Sequence, residues 1–343
     1  MVNRKRWSVF AIILLVIVAC QKSEDLNFEE FIGFRKPTHF PDPVYNFATT
    51  PLTKETVELG RKLFYDERLS RNNTISCASC HISQNAFTHH GHDVSHGIDD
   101  KLGIRNAPTL ANLAWATSFF WDGGVPQLDL VSLAPIVNEV EMDENMNNIL
   151  VKLKADAKYP DMFTKAFGKS EFSGNEVLKA LAHFMTTLVS DNSKYDKVKR
   201  GEDSFTEEEE KGYQLFLAKC NSCHTEPLFT DYSFRDNGLG INPANDLGRF
   251  EVTLNEKDKL RFKVPTLRNL SYTAPYMHDG RFYTLHAVLN HYAKEVVLTD
   301  NLDPLLRINK GIPLTKEEME ALLSFLKTLD DESFIQNKNF IQP

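Results

Sequence analysis

Apolar residues recur at helical spacing in four stretches of the chain. Val57, Leu59, Leu63 and Phe64 mark one side of a stretch running from Thr53 to about Tyr65. Val177, Leu181, Met185 and Leu188 do the same between Asn175 and Val189. Thr206 followed by Glu207 to Glu210 is a helix start, because a threonine oxygen can accept a free N–H and acids suit the first turn. That helix turns Tyr213, Phe216 and Leu217 inward and delivers Cys220. Thr315 caps a last helix with Met319, Leu322, Leu323 and Leu326 on one side. Period-two alternation is sparse, so the chain is predicted to be mostly α with long loops. Gly201-Glu202-Asp203-Ser204 has the composition of a joint between domains.

The pattern also repeats on a larger scale. APTLANLAWATSFFWDGG (107–124) and VPTLRNLSYTAPYMHDGR (264–281) align without a gap at an offset of 157 residues. Pro108 meets Pro265, Asn112 meets Asn269, Trp121 meets His278, and Asp122-Gly123 meets Asp279-Gly280. Duplication of one module is the simplest account. Ahead of both modules, Arg4, Lys5 and Arg6 precede an apolar run, Phe10 to Val18, which is short for a membrane span and reads as an export signal. Val18-Ala19-Cys20 resembles a bacterial lipobox. That resemblance implies a signal peptide over 1–19, cleavage before Cys20 and diacylation of its thiol; an ordinary signal peptide with a stray cysteine is the alternative. Residues 20–44, polar and acidic at first, read as a tether. The net charge of −8 argues against a nucleic-acid partner.

The chemistry sits in the cysteines. Of five, all but Cys20 belong to two CxxCH motifs, Cys77-Ala78-Ser79-Cys80-His81 and Cys220-Asn221-Ser222-Cys223-His224. CxxCH attaches c-type haem: two thiols add to the porphyrin vinyl groups and the adjacent histidine ligates iron. A disulfide framework would not place a histidine after each pair, and a shared zinc site would leave both histidines unexplained. The chain is therefore predicted to carry two covalent haems, with His81 and His224 as axial ligands, and to perform redox chemistry on the exported side of a bacterial membrane.

The ordered series CASCH, RNAPTLAN (105–112), FFWDG (119–123), Glu141-Met142, CNSCH and TAPYMHDG (273–280) resembles the bacterial di-haem cytochrome c peroxidase family, which includes the di-haem enzymes that mature tryptophan-derived quinone cofactors. The resemblance spans roughly 45 to 330. It implies two cytochrome c-like haem domains related by the internal repeat, an N-terminal peroxidatic one (45–200) and a C-terminal electron-transfer one (201–343). By position it implies Glu141 as the catalytic acid/base, Trp121 between the haems, and a calcium site from Asn106, Thr273 and Pro275. A carboxylate serves peroxide cleavage because a proton must leave the inner oxygen and reach the outer one, and burial raises its pKa toward a useful value. An Asn side-chain oxygen and backbone carbonyls are hard ligands that suit calcium. The resemblance also implies hydrogen peroxide as substrate, a small donor protein such as a cytochrome c or cupredoxin, and association into homodimers.

Departures from the family pattern matter as much. The glutamine often found ten residues after the motif tryptophan is Val131, and the arginine of WDGR is Gly124. Fourteen residues after His278, where many peroxidases place a methionine ligand, stands Tyr292, as in the quinone-maturing relatives; Met277 is the rival. The loop THHGHDVSHG (88–97) holds four histidines, with His96 near the place of a removable distal ligand, although local alignment puts Ile98 there. Three functions follow: peroxide reduction; oxidation of a protein or organic substrate through high-valent iron, which Tyr292 favours; or electron carriage without turnover, which Val131 leaves open.

Overall fold

The computed structural model describes residues 34–48 and 51–343. The leader, Cys20 and most of the tether lie outside them. Among the described residues, seven helices precede the second haem motif's helix: α1 (Lys54–Phe64), the single turn α2 (Cys77–Cys80), α3 (Leu133–Val137), α4 (Met146–Lys154), α5 (Lys158–Phe167), α6 (Gly174–Thr186) and α7 (Lys194–Lys199). Then follow α8 (Glu207–Lys219), α9 (Phe250–Thr253), α10 (Leu285–Asn290), α11 (Pro304–Asn309), α12 (Lys316–Lys327) and α13 (Glu332–Ile335). Among the described residues, the sheet is a two-residue pairing of β1 (Phe234–Arg235) with β2 (Phe262–Lys263), antiparallel, with Phe234 opposite Lys263. The mostly helical expectation holds, and the described residues form one compact unit.

Two helix pairs build the scaffold. In each, a glycine lets the backbones touch. A Cβ on Gly60 of α1 would lie 1.8 Å from the Ala180 carbonyl oxygen of α6, and one on Gly212 of α8 would lie 1.9 Å from that of Ala321 on α12. Thr53, Ser173, Thr206 and Thr315 all close capping boxes; Thr206 and Thr315 are the caps expected, and α1 and α6 begin within a residue or two of the expected starts at Thr53 and Asn175. α4 and α5 were not anticipated; they bury Ile149, Leu153, Tyr159 and Phe163.

The loops between the pairs recur as well. Asn112 and Asn269 both take left-handed φ, 60° and 66°. Both clasp the same stretch of chain: Asn112 donates to the Ser190 carbonyl (3.1 Å) and Asn269 to the Ser190 hydroxyl (3.0 Å). Bridges Phe119–Val125 and Tyr276–Phe282 occupy equivalent places. Residues 34–44, expected to be the end of a tether, are instead packed: Phe40 sits edge-on to Trp115 (5.1 Å), whose indole N–H donates to the Pro41 carbonyl (2.9 Å). The apolar side chains there, interspersed with prolines, escape a periodic reading.

Candidate functional site

The two CxxCH motifs fold alike. In α2, Ser76 and Ser79 form a capping box, and three-residue spacing puts Cys77 and Cys80 on one side of a single turn. Cys220 caps α8, and the chain turns tightly so that His224 N–H reaches the Cys220 carbonyl (3.0 Å), as His81 N–H reaches that of Cys77 (3.0 Å). His81 Nδ1 lies 2.8 Å from the Phe87 carbonyl, and His224 Nδ1 lies 3.2 and 3.1 Å from those of Phe229 and Pro265. A carbonyl can only accept, so Nδ1 carries the proton and Nε2 keeps its lone pair for a metal. Burial holds both imidazoles below their usual pKa, hence neutral. The four motif cysteines are free, with burial pushing the Cys77 and Cys220 thiols up to about 12 and Cys80 to about 11.

Beside the second motif opens a cavity of about 750 Å³, lined by Cys220, Cys223 and His224 and walled by Leu267, Leu285, Val288, Leu289, Leu322 and Leu326. Free thiols at its edge, a histidine with an available Nε2 and apolar walls fit a covalently held haem. Both rival sixth ligands line it. Tyr292 rides a π-helical turn, His291–Glu295, that continues α10. The Asn237 side-chain N–H group donates toward both, 3.5 Å from the Tyr292 hydroxyl and 3.6 Å from Met277 Sδ. Burial pushes the Tyr292 phenol up to about 12. Asn237 has no motif around it and was not anticipated.

Glu141 lies against the first motif. Its backbone carbonyl accepts from Ile98 N–H (2.8 Å), Ser95 Oγ donates to its carboxylate (3.4 Å), and the neighbouring His96 carbonyl is 3.5 Å from Cys80 Sγ. Burial raises its carboxyl pKa, as expected. Gly97 makes the seat possible, since a Cβ there would stand 2.3 Å from the Val140 carbonyl. His96 is engaged elsewhere: its Nε2 is 3.3 Å from Asp100, and its ring adjoins His92, which stacks on His89 at 4.0 Å. Val131 is buried, so the place of the family's glutamine is apolar.

Trp121 and His278, equivalent in the repeat, meet across the molecule with ring centroids 6.5 Å apart. Trp121 Nε1 donates to the Asn106 carbonyl (2.8 Å), and Asn106 N–H donates to that of His278 (2.7 Å). The Asn106 side chain donates to the His92 and Asp93 carbonyls (3.2 and 3.1 Å), which leaves its Oδ1 free to face a cation. Asn106, Thr273 and Pro275 line the same cavity as Trp121. Arg105 clamps this region, bidentate to Asp246 (2.6 and 2.7 Å) and paired with Asp122 and Glu251. Arg105 opens the RNAPTLAN run, but its partners Asp246 and Glu251, more than a hundred residues on, could not be read from it.

The model of the di-haem cytochrome c peroxidase family matches residues 54–204. The methylamine utilization protein MauG of Methylorubrum extorquens is 37% identical, over 87% of this chain and 84% of its own. The chain belongs to the di-haem cytochrome c peroxidase family. Cytochrome c551 peroxidase of Nitrosomonas europaea is 35% identical, over 82% of each chain. A crystal structure of a MauG-like protein associated with microbial copper homeostasis superposes with a TM-score of 0.82 at 33% identity, covering 91% of this chain and 99% of that one. The family implies two covalently bound haem c groups and oxidoreductase chemistry, and the relatives carry both peroxidase and MauG names. Among the described residues no helix is long and apolar enough to cross a membrane.

Proposed function

We propose that the chain reduces hydrogen peroxide to water beside His81, with electrons from an external donor protein entering on the His224 side. The observation that carries this is Glu141: a half-buried carboxyl with a raised pKa that accepts from Ser95, on a backbone whose carbonyl is fixed by the Ile98 amide, next to the Cys80 attachment point. Haems held by Cys77, Cys80 and His81 and by Cys220, Cys223 and His224 would supply the redox chemistry and store the electrons. Glu141 accepts the proton from the peroxide oxygen nearer the metal and returns it to the departing one, so that water rather than hydroxide leaves. Trp121, hydrogen-bonded to Asn106 and close to His278, supports a path for electrons between the halves. Asn106, Thr273 and Pro275 would hold calcium there, and Cys20 would anchor the exported chain by lipid on the periplasmic side. Glu141→Gln should lower peroxide turnover about 10²- to 10⁴-fold while both haem spectra persist. Unchanged turnover in a fully haem-loaded variant would remove Glu141 from the reaction.

A second reading, oxidation of a protein or organic substrate, is favoured by Tyr292 on the cavity wall. A phenolate ligand would favour oxidised iron, whereas the thioether of Met277 would raise the potential.

A further inference from the structure

A cluster outside both haem motifs has the composition of a redox site. Tyr195 on α7 is 1% exposed, and its hydroxyl donates to Glu226 Oε1 at 2.5 Å. Tyr213 on α8 donates to the same carboxylate at 3.0 and 3.2 Å. Lys199 closes the cluster, 3.1 Å from Glu226 and 2.5 Å from the Tyr213 hydroxyl, with its ammonium over both rings (5.2 and 4.6 Å). The Glu226 and Lys199 side chains are 21% and 33% exposed, so a proton arriving here has a way out. Aromatic rings connect the cluster to the haem pocket. Tyr195 packs on Phe229 (4.8 Å), whose carbonyl accepts from the His224 ring. Phe216, on the cavity wall, touches Phe229 (5.4 Å) and Phe325 (5.1 Å), and Phe325 touches Tyr213 (5.2 Å).

Tyrosine is far easier to oxidise than phenylalanine, but its radical cation is a strong acid. A tyrosine therefore gives up an electron readily only where a base takes the phenolic proton at once. Two tyrosines on one carboxylate, joined to the pocket by rings too hard to oxidise themselves, meet that condition. A satisfied buried hydroxyl would need only one partner and no second tyrosine. We propose that Tyr195 and Tyr213 form a proton-coupled redox pair that carries oxidising equivalents from the His224 haem pocket to the surface. Tyr195 loses one electron to the haem centre after peroxide has oxidised it, and its proton passes to Glu226. Tyr213 then gives an electron to the Tyr195 radical, which takes its proton back from Glu226, and the freed carboxylate accepts the proton of Tyr213. A small one-electron reductant in solution, such as a phenol, reduces the Tyr213 radical, which recovers its proton from Glu226, while the phenol releases its own proton to water. The inference rests on the peroxide reading above for its oxidant.

Haem-loaded protein is mixed with hydrogen peroxide, freeze-quenched and examined by electron paramagnetic resonance, with haem absorption followed in parallel. The native chain should give a tyrosyl signal that narrows when tyrosine rings are deuterated. Tyr195→Phe with Tyr213→Phe should abolish it, and Glu226→Gln should slow its appearance about a hundredfold, the low end of what a positioned base supplies. The rings remain in the Phe variants, and circular dichroism verifies their fold. A haem response to peroxide without a tyrosyl signal, or a signal unchanged in the double variant, overturns the pair. If peroxide leaves both haem spectra unmoved, the failure lies with the peroxide reading. The pair is then judged with flash-generated ruthenium(III) as oxidant: tyrosyl absorption lost in the double variant supports it, and absorption that persists overturns it.

Discussion

The two halves around the CxxCH motifs share a scaffold and differ in the side chains set around the motif histidine. Each has a glycine-seated helix pair, α1 with α6 and α8 with α12, a histidine fixed through Nδ1 to a loop carbonyl, and a threonine tying the following loop. Thr109 donates to the Ala86 carbonyl (2.6 Å) and its equivalent Thr266 to that of Leu228 (2.7 Å). Beyond that frame they part. The first half presents Glu141 and a buried Val131; the second presents Tyr292, Met277 and the Asn237 donor. The shared parts would hold a macrocycle, and the divergent parts would decide what its iron can do. Near the repeat's end, Arg281 chelates its own Asp279 (2.9 and 3.0 Å), whereas Gly124 leaves Asp122 to Arg105, which also binds Asp246. Where Gly124 offers no local arginine, Arg105 joins Asp122 of one half to Asp246 of the other.

The largest effect on stability should come from an arginine that only the second half has. Arg268 is 1% exposed and pairs through both terminal nitrogens with the fully buried Asp196 (2.8 Å each), which also meets His39 (2.7 Å). Its repeat equivalent is Ala111. Arg268→Ala leaves Asp196 buried without its guanidinium, and should cost about 3–5 kcal/mol in unfolding by denaturant. A cost under about 1 kcal/mol would mean that water or a rearranged His39 replaces the guanidinium.

Acid should separate the halves. His183 in α6 is fully buried, its Nδ1 meets Thr56 (2.8 Å), and burial pushes its pKa down to about 4, with Asp129 opposing and Lys179 assisting. The folded state thus binds fewer protons than the unfolded one between about pH 6.5 and 4, and stability falls as pH drops through that window. Asp196 is held down at about 2 by Arg268, against its own burial. Its contribution is intact above about pH 4 and is lost between about 4 and 2. Hydrogen exchange across a pH series should show α1 and α6 loosening first, and α7 with the Arg268 loop only in stronger acid. Simultaneous loosening would show one cooperative unit with a shared titration.

What could be read in advance divides along sequence distance. The four scaffold helices were legible because caps and apolar period are local, and the haem motifs because five consecutive residues carry them. Repeat equivalence even paired Trp121 with His278, though not their contact. The loops resisted, since Phe87, Phe120, Phe229 and Met277 adopt positive φ without being glycine or asparagine. Such backbones are imposed by packing and leave no propensity signal. α4 and α5 were hidden by the break at Asp156 and by Pro160, which is tolerated in the first turn. Asn237 and the partners of Arg105 and Arg268 lie dozens of residues or more from the groups they serve.

The smallest effect is the sharpest on ligand identity. Asn237 stands within reach of both Tyr292 and Met277, so one substitution weighs them. If Tyr292 binds as phenolate, the Asn237 N–H withdraws charge from its oxygen. Asn237→Leu would then strengthen the ligand, favour ferric iron and lower the potential of the His224 haem. A neutral hydrogen bond of about 0.5–1.5 kcal/mol corresponds to about 20–65 mV for one electron. A thioether accepts only weakly, so with Met277 as ligand the potential should scarcely move while removal of Tyr292 leaves the spectrum intact. Spectroelectrochemical titration of native protein, Asn237→Leu and Tyr292→Phe decides between them. A drop in the first variant together with a changed ferric spectrum in the second assigns Tyr292; no shift in either assigns the methionine and takes the main support from the substrate-oxidising reading.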